Sequence, residues 1–124
     1  MERIVAIGLA GALGALSRYG LQSLVNEVAG RPSIVGTLLA NLTGALLLGL
    51  LVAATEERLE LNDVTRAAVT VGFLGSYTTF STFMFESVTR LEGGETLLVF
   101  GYIAGSIVLG LALAYAGLQL GRAV

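Results

Sequence analysis

A run of hydroxyl-bearing side chains between positions 76 and 82 carries much of the chemistry available to this chain. Within the same apolar setting, Phe80 and Phe83 are spaced three residues apart. Residues at that spacing share one face of a helix. The hydroxyls are those of Ser76, Tyr77, Thr78, Thr79, Ser81 and Thr82. Because hydroxyls donate hydrogen bonds and the edge of a phenyl ring is electropositive, the segment could bind a small anion.

Other polar side chains are scattered singly through apolar segments. They are Arg18, Asn41, Glu86, Tyr102 and Ser106. Polar groups inside a bilayer are costly and tend to be functional. Neutral donors could strip water from an anion without trapping it as a fixed cation would. Two plainer interpretations stay open: ordinary packing of the phenylalanines, and hydroxyls bonded to carbonyls of their own helix.

The composition indicates a membrane protein and argues against an enzyme. Of 124 residues, 55% are hydrophobic and 13% are charged, with a mean hydropathy of +0.84. Soluble domains carry roughly 25% charged residues. The chain has neither Cys nor His, so we expect no disulfide and no nucleophile–base pair of the usual kinds. A net charge of −2 offers no basic surface for nucleic acid.

Four apolar segments are each long enough to cross a bilayer, which takes about 20 residues. We predict one four-helix membrane domain over residues 1–124, with the first segment kept as a span rather than cleaved as a signal peptide. The predicted spans are residues 4–25, 34–55, 64–91 and 96–120. Gly30-Arg31-Pro32 reads as a turn, and residues 92–95 as another. Asn62 or Asp63 is expected to cap the third segment.

Small residues recur four apart in these segments, a spacing that lets helices approach closely in lipid. We interpret them as contacts within a tightly packed bundle. They are Gly11 and Ala15, then Gly36, Ala40 and Gly44, then Gly101 with Gly105 and Gly117 with Gly121.

The arginines are distributed almost evenly between the two sides of the membrane, so they hardly favour one orientation of insertion. Arg3, Arg58, Arg66 and Arg122 lie on the side of the termini, against Arg18, Arg31 and Arg90 on the other. The positive-inside rule therefore leaves two possibilities. Either a partner or the first span sets the orientation, or the chain inserts both ways and assembles as an antiparallel dimer.

The third segment carries a signal for a helix break. Gly75 weakens helix there, and β-branched Thr78 and Thr79 follow closely. Within a membrane, such a break is tolerated where protein or a cavity satisfies the freed backbone groups. Its carbonyls could ligate a hard cation such as Na⁺.

Three pieces of the sequence resemble the small bacterial fluoride channels called Fluc or CrcB. They are GALGALSRY at 11–19, GTLLANLTG at 36–44 and GFLGSYTTFSTF at 72–83. The length and the number of spans agree, whereas the fourth span matches only in its tyrosine, serine and glycines. The resemblance implies an all-α integral membrane protein with four transmembrane helices per subunit, the third broken mid-membrane. It also implies an antiparallel, dual-topology homodimer with two fluoride paths and a central structural Na⁺.

The resemblance also assigns expected roles. Phe80 and Phe83 would present ring edges to fluoride, and Asn41 would donate its amide at one end of the path. Ser81, Thr82 and Tyr102 would line the path, with Ser106 in a vestibule. The carbonyls of Gly75 and Thr78 would hold Na⁺. Arg18 and Glu86 match family positions without a definite role, and Ser76 stands where the family often has glycine.

The implied function is passive export of fluoride through the bacterial inner membrane. HF enters neutral and dissociates inside, and a selective channel lets the trapped anion leave. The expected partners are the fluoride ion, membrane lipid and a second copy of the chain. One alternative is a small dimeric proton-coupled exporter, for which only Glu86 could serve as the carboxylate. Another is a structural membrane subunit without transport of its own.

Overall fold

The computed structural model describes residues 1–57 and 60–123, and within them the chain is helical with no strand. The helices are α1 (Glu2–Ala29), α2 (Val35–Glu57), α3 (Asp63–Ala67), α4 (Gly75–Tyr77), α5 (Phe80–Glu92) and α6 (Thr96–Ala123). A π-helical turn, Ala68–Leu74, joins α3 to α4. Helices α1, α2 and α6 are each long and apolar enough to cross a membrane. Each of them continues a few residues beyond the C-terminal end of its predicted apolar span.

The third predicted span is composed of short pieces. Helical backbone runs from α3 through the π-helical turn to the end of α4, and α5 begins three residues after Tyr77. Between them, Thr78 (φ −84°, ψ 156°) and Thr79 (φ −150°, ψ 126°) are extended. We call this pair the Thr78–Thr79 link.

The predicted turns and cap are confirmed. Gly30 ends α1 in the left-handed conformation, with φ of 65°. Gly94, in the turn between α5 and α6, has φ of 82°. The Asn62 side chain accepts a hydrogen bond of 2.8 Å from the Thr65 amide and so caps α3. Arg58, which entered the arginine balance, lies outside the described residues.

Helices α2 and α6 form the closest pair. A Cβ atom on Gly117 would collide with the Leu46 carbonyl, and one on Gly121 with the Leu50 carbonyl. The glycines therefore let the two backbones meet, as their spacing indicated. Gly101 and Gly105, in contrast, have no described neighbour within 4 Å of such an atom. Their side of α6 is open in the single chain.

Helix α1 packs against the third segment. A Cβ on Gly14 would collide with the Phe73 carbonyl, and a Cβ on Gly72 would lie 2.7 Å from the Ile7 carbonyl. Gly11 faces Ser76, whose hydroxyl would be 3.2 Å from an added Cβ. Ser76 therefore fits against a position on α1 that has no side chain.

Candidate functional site

The Thr78–Thr79 link is held by a side chain from α2. The Thr79 amide donates to Asn41 Oδ1 at 2.8 Å, and Asn41 Nδ2 donates to the Thr79 carbonyl at 3.0 Å. The asparagine thus pairs with both backbone groups of Thr79, much as a neighbouring strand would. Because Nδ2 carries two hydrogens, one N–H remains for another acceptor.

The two helix ends at the link are capped locally. The Thr78 amide and hydroxyl both donate to the Leu74 carbonyl, at 3.1 and 3.0 Å. Thr79 Oγ1 accepts from the Thr82 amide at 3.3 Å and so caps α5. The hydroxyl of Thr78 therefore bonds to its own helix, whereas those of Thr79 and Thr82 bond to each other at 3.1 Å. Of these three hydroxyls, that of Thr78 is the one whose described bond is to a carbonyl of its own helix.

An arginine from α1 reaches the end of α4. Arg18 Nε donates to the Ser76 carbonyl at 3.1 Å. In a continuous helix, the amide four residues later would occupy that carbonyl. The ion pairs among the described residues are Arg66–Asp63 and Arg90–Glu95, so Arg18 forms none there. Its described polar contact is thus with the backbone of the third segment.

Carbonyls at and just before the link lose their helical partners, those of Gly75 and Thr78 among them. The Thr79 amide, which would bond to Gly75 in a continuous helix, donates to Asn41. The Thr82 amide, which would bond to Thr78, donates to Thr79 Oγ1. Neutral backbone oxygens are suitable ligands for a hard cation. The described residues include no cluster of three or more acidic, His or Cys side chains that could hold a metal instead.

Aromatic rings continue from the link along α5 to α6. The Phe80 and Phe83 centroids are 6.3 Å apart with planes at 74°, and those of Phe83 and Tyr102 are 4.8 Å apart at 85°. Both contacts are edge-on. Phe83 is 7% exposed, whereas Phe80 is 74% exposed and turns outward from the single chain. Ser81 is also exposed.

Beyond Tyr102, the row ends at a polar cluster around Glu86. The Tyr102 hydroxyl donates to Glu86 Oε2 and the Thr37 hydroxyl to Oε1, each at 2.8 Å. Gln22 Nε2 lies 3.4 Å from the same Oε1. Donors from α1, α2 and α6 therefore converge on one carboxylate of α5.

Thr37 and Gln22 were missed by the sequence analysis. Thr37 is fully buried, with an exposure of 0%. A sequence signal existed, since both are polar residues within predicted apolar spans. Gly36 makes room for the glutamine, because an added Cβ there would be 3.0 Å from Gln22 Cα.

Ser106 lies one helical turn after Tyr102 on α6. Its Oγ atom is buried, and no described group forms a hydrogen bond with it. A buried hydroxyl without a partner is costly, so this atom is free to meet a ligand or a partner group.

An open groove of about 370 Å³ runs beside the link. Its lining includes Asn41, Gly75, Thr78, Thr79 and Phe80. Gly44 borders it as well, where a Cβ would collide with the Thr78 methyl group. We call it the link groove. It brings the predicted amide donor, the rings of Phe80 and Phe83 and both proposed cation ligands to one open face.

The comparisons with known proteins cover the whole chain. The profile of the family described as CrcB-like protein, Camphor Resistance (CrcB), matches residues 5–118. The chain belongs to this family. It is 44% identical over the full length of both chains to a protein of Nitratidesulfovibrio vulgaris named fluoride-specific ion channel FluC.

Other relatives carry the same name. One from Geobacter sp. is 43% identical over the full length of both chains. One from Staphylococcus aureus, named FluC 1, is 44% identical over 94% of each. With its apolar helices, this CrcB member is a multi-pass bacterial membrane protein.

Proposed function

We propose that this chain is a fluoride-selective channel that lets fluoride leave the cytoplasm passively. The observation that carries the proposal is the edge-on row of Phe80, Phe83 and Tyr102. It runs from an amide donor to the polar cluster around Glu86, in a chain whose full-length relatives are named fluoride channels. In this account the edges and neutral donors replace part of the water around the anion.

Each predicted residue has a place in that path. Asn41 uses its remaining N–H at the link end, and Phe80 and Phe83 pass the ion between ring edges. The hydroxyls of Ser81 and Thr82 supply donors beside the rings, whereas Tyr102 lines the path with its ring because its hydroxyl donates to Glu86. Ser106 faces a vestibule, an assignment supported by its buried and unpaired hydroxyl. No fixed cation is required along the row, which favours release over trapping.

The working channel is an antiparallel homodimer of four-span subunits inserted in both orientations. The third span, from 64 to 91, is interrupted near the middle of the bilayer at the Thr78–Thr79 link. The open link groove supports this assembly, because irregular backbone at that depth must be covered by protein or face a water-filled cavity. The exposed Phe80 ring and the near-balance of arginines are in line with a second copy facing the groove.

The dimer centre holds a structural Na⁺. The carbonyls of Gly75 and Thr78 would be its ligands, two from each copy, and they are free of the amides that a continuous helix would supply. The positive charge of the ion would attract carbonyls from both copies and so hold their two Thr78–Thr79 links close to each other.

Passive conduction is sufficient for detoxification. HF crosses the inner membrane neutral and dissociates in the cytoplasm, and the inside-negative potential then drives fluoride outward. This requires no coupling carboxylate in the path.

Purified protein in liposomes tests the function directly. Liposomes loaded with both fluoride and chloride should release fluoride, read with an ion-selective electrode, and retain chloride. Chloride release at a comparable rate would contradict the selectivity, and release of neither ion would remove the channel function.

A further inference from the structure

We infer that Arg18 is a positioning residue for the cation at the link: it occupies the Ser76 carbonyl and so leaves those of Gly75 and Thr78 as the ligands. The inference rests on the proposed Na⁺ site. Four consecutive carbonyls, from Gly75 to Thr78, stand at the end of a helical run and are potential ligands of similar chemistry. The side chains around them determine which remain free.

The hydrogen bonds divide these backbone groups between two neighbouring helices. From α1, Arg18 Nε takes the Ser76 carbonyl at 3.1 Å. From α2, Asn41 takes both the amide and the carbonyl of Thr79. The carbonyls of Gly75, Tyr77 and Thr78 accept from neither side chain, and among the described bonds none of them accepts from the amide four residues later. Arg18 and Asn41 thus remove the carbonyls of Ser76 and Thr79 from the possible cation ligands.

The position of Arg18 is otherwise hard to explain. It is half-buried in an apolar helix and has no acidic partner among the described residues. A charged side chain is expensive in such a place. Hydrogen bonding to the last carbonyls of a helix gives the guanidinium a favourable role, because that end carries partial negative charge. Gly11, about two turns before Arg18 on the same face of α1, lets Ser76 approach closely enough for the contact.

A second possibility is that Arg18 acts only through its charge. A positive charge beside a cation site weakens cation binding, so removal of the Arg18 charge would then strengthen Na⁺ binding. A positioning role predicts the opposite, because a freed Ser76 carbonyl lets the backbone at the link rearrange. The sign of the change therefore separates the two roles.

The test measures the thermal unfolding midpoint of the purified full-length protein while Na⁺ replaces an inert organic cation at constant ionic strength. Arg18→Met should raise the Na⁺ concentration at half-maximal stabilisation by about tenfold to a hundredfold, as loss of a supporting contact does at metal sites. Arg18→Lys should shift it less, in the same direction. Arg122→Met, which removes one charge from the exposed end of α6, should match the unsubstituted protein.

The other outcomes overturn the inference. A tightened Na⁺ response in Arg18→Met would leave only a charge effect, and an unchanged response would show that Arg18 has no part in the cation site. An equal drop in the midpoint at every Na⁺ concentration would leave only a structural role. If the Met variant does not fold, an unshifted Lys variant decides against the inference. Absence of any Na⁺ response in the unsubstituted protein removes the cation site and this inference together, whereas fluoride release from liposomes judges the channel function separately.

Discussion

Two contact regions of this chain are held together by different kinds of interaction. Between α2 and α6, glycines bring apolar backbones together, and Gly117 and Gly121 meet the carbonyls of Leu46 and Leu50. Around the Thr78–Thr79 link, side chains of Asn41 and Arg18 bond to backbone groups instead. The first region has no chemistry to offer an ion, whereas the second leaves donors and carbonyls exposed to one.

The difference separates the scaffold from the site. Close glycine packing depends on shape, so it fails when volume is added. The link depends on particular donors and acceptors, so it fails when a polar atom is removed, even at constant volume. Substitutions in the two regions should therefore damage different properties.

The largest effect is expected from Gly117→Val. The added side chain would press on the Leu46 carbonyl, which cannot move independently of α2. Overpacking typically costs about 1–3 kcal/mol and more against backbone, so we expect a lower unfolding midpoint, loss of assembly and loss of all flux. Size-exclusion chromatography after heating to a series of temperatures measures both the unfolding midpoint and the loss of assembly. Gly110→Val is the matched control, since no described neighbour lies within 4 Å of a Cβ there. Equal damage from both variants would contradict the role of close packing.

Asn41→Leu should abolish transport while leaving more of the fold intact. It removes both hydrogen bonds to Thr79 at similar side-chain volume. Hydrogen bonds between membrane helices contribute on average about 0.6 kcal/mol and at most roughly 1.7 kcal/mol. We therefore expect the backbone of the link to become disordered while α2 and α6 stay packed. Flux and unfolding midpoint are measured on one preparation. Thr55→Val on the same helix is the control, because the described hydrogen bond of its hydroxyl is to the carbonyl of Val52, within its own helix. Near-normal fluoride release by the leucine variant would remove Asn41 from the site.

Phe83→Ile should lower fluoride flux by about tenfold, because two edge contacts worth roughly 0.5–1.5 kcal/mol each are lost. Assembly should persist, since the isoleucine still fills apolar volume. Phe80→Ile should act in the same direction, whereas the exposed Phe85 on the same helix provides the control substitution Phe85→Ile. Unchanged flux in both site variants would show that the rings only pack.

Glu86→Gln should have the smallest effect on fluoride release. The amide can keep one acceptor and one donor among Tyr102, Thr37 and Gln22. Fluoride flux should remain measurable and independent of an imposed pH gradient, recorded with a pH-sensitive dye alongside the electrode. A pH-driven flux that vanishes in this variant would favour the proton-coupled exporter instead.

The long helices and their caps were predictable from local signals. Apolar runs predicted α1, α2 and α6. Asn62 predicted the start of α3, and Gly30 predicted the end of α1. The spacing of Gly117 and Gly121 also indicated a close helix contact. These features depend on residues near one another in the chain or on a regular repeat.

The contacts at the site depend on positions far apart in sequence. Gln22 and Glu86 are separated by 64 residues, and Asn41 and Thr79 by 38. A glycine and two threonines indicate where regular helix weakens, but they cannot say which side chains then satisfy the backbone. Arg18 could be identified as costly in an apolar helix, yet its partner at Ser76 became visible only from the packing of α1. The roles of all these residues in conduction remain predictions.

Selectivity is the central claim, and a reversal potential tests it most directly. One planar bilayer containing the purified protein would separate fluoride on one side from an equal concentration of chloride on the other. A fluoride-selective path predicts a current carried by fluoride alone and a reversal potential displaced far toward the fluoride equilibrium value. A reversal potential near zero, with both anions carrying current, would contradict the account.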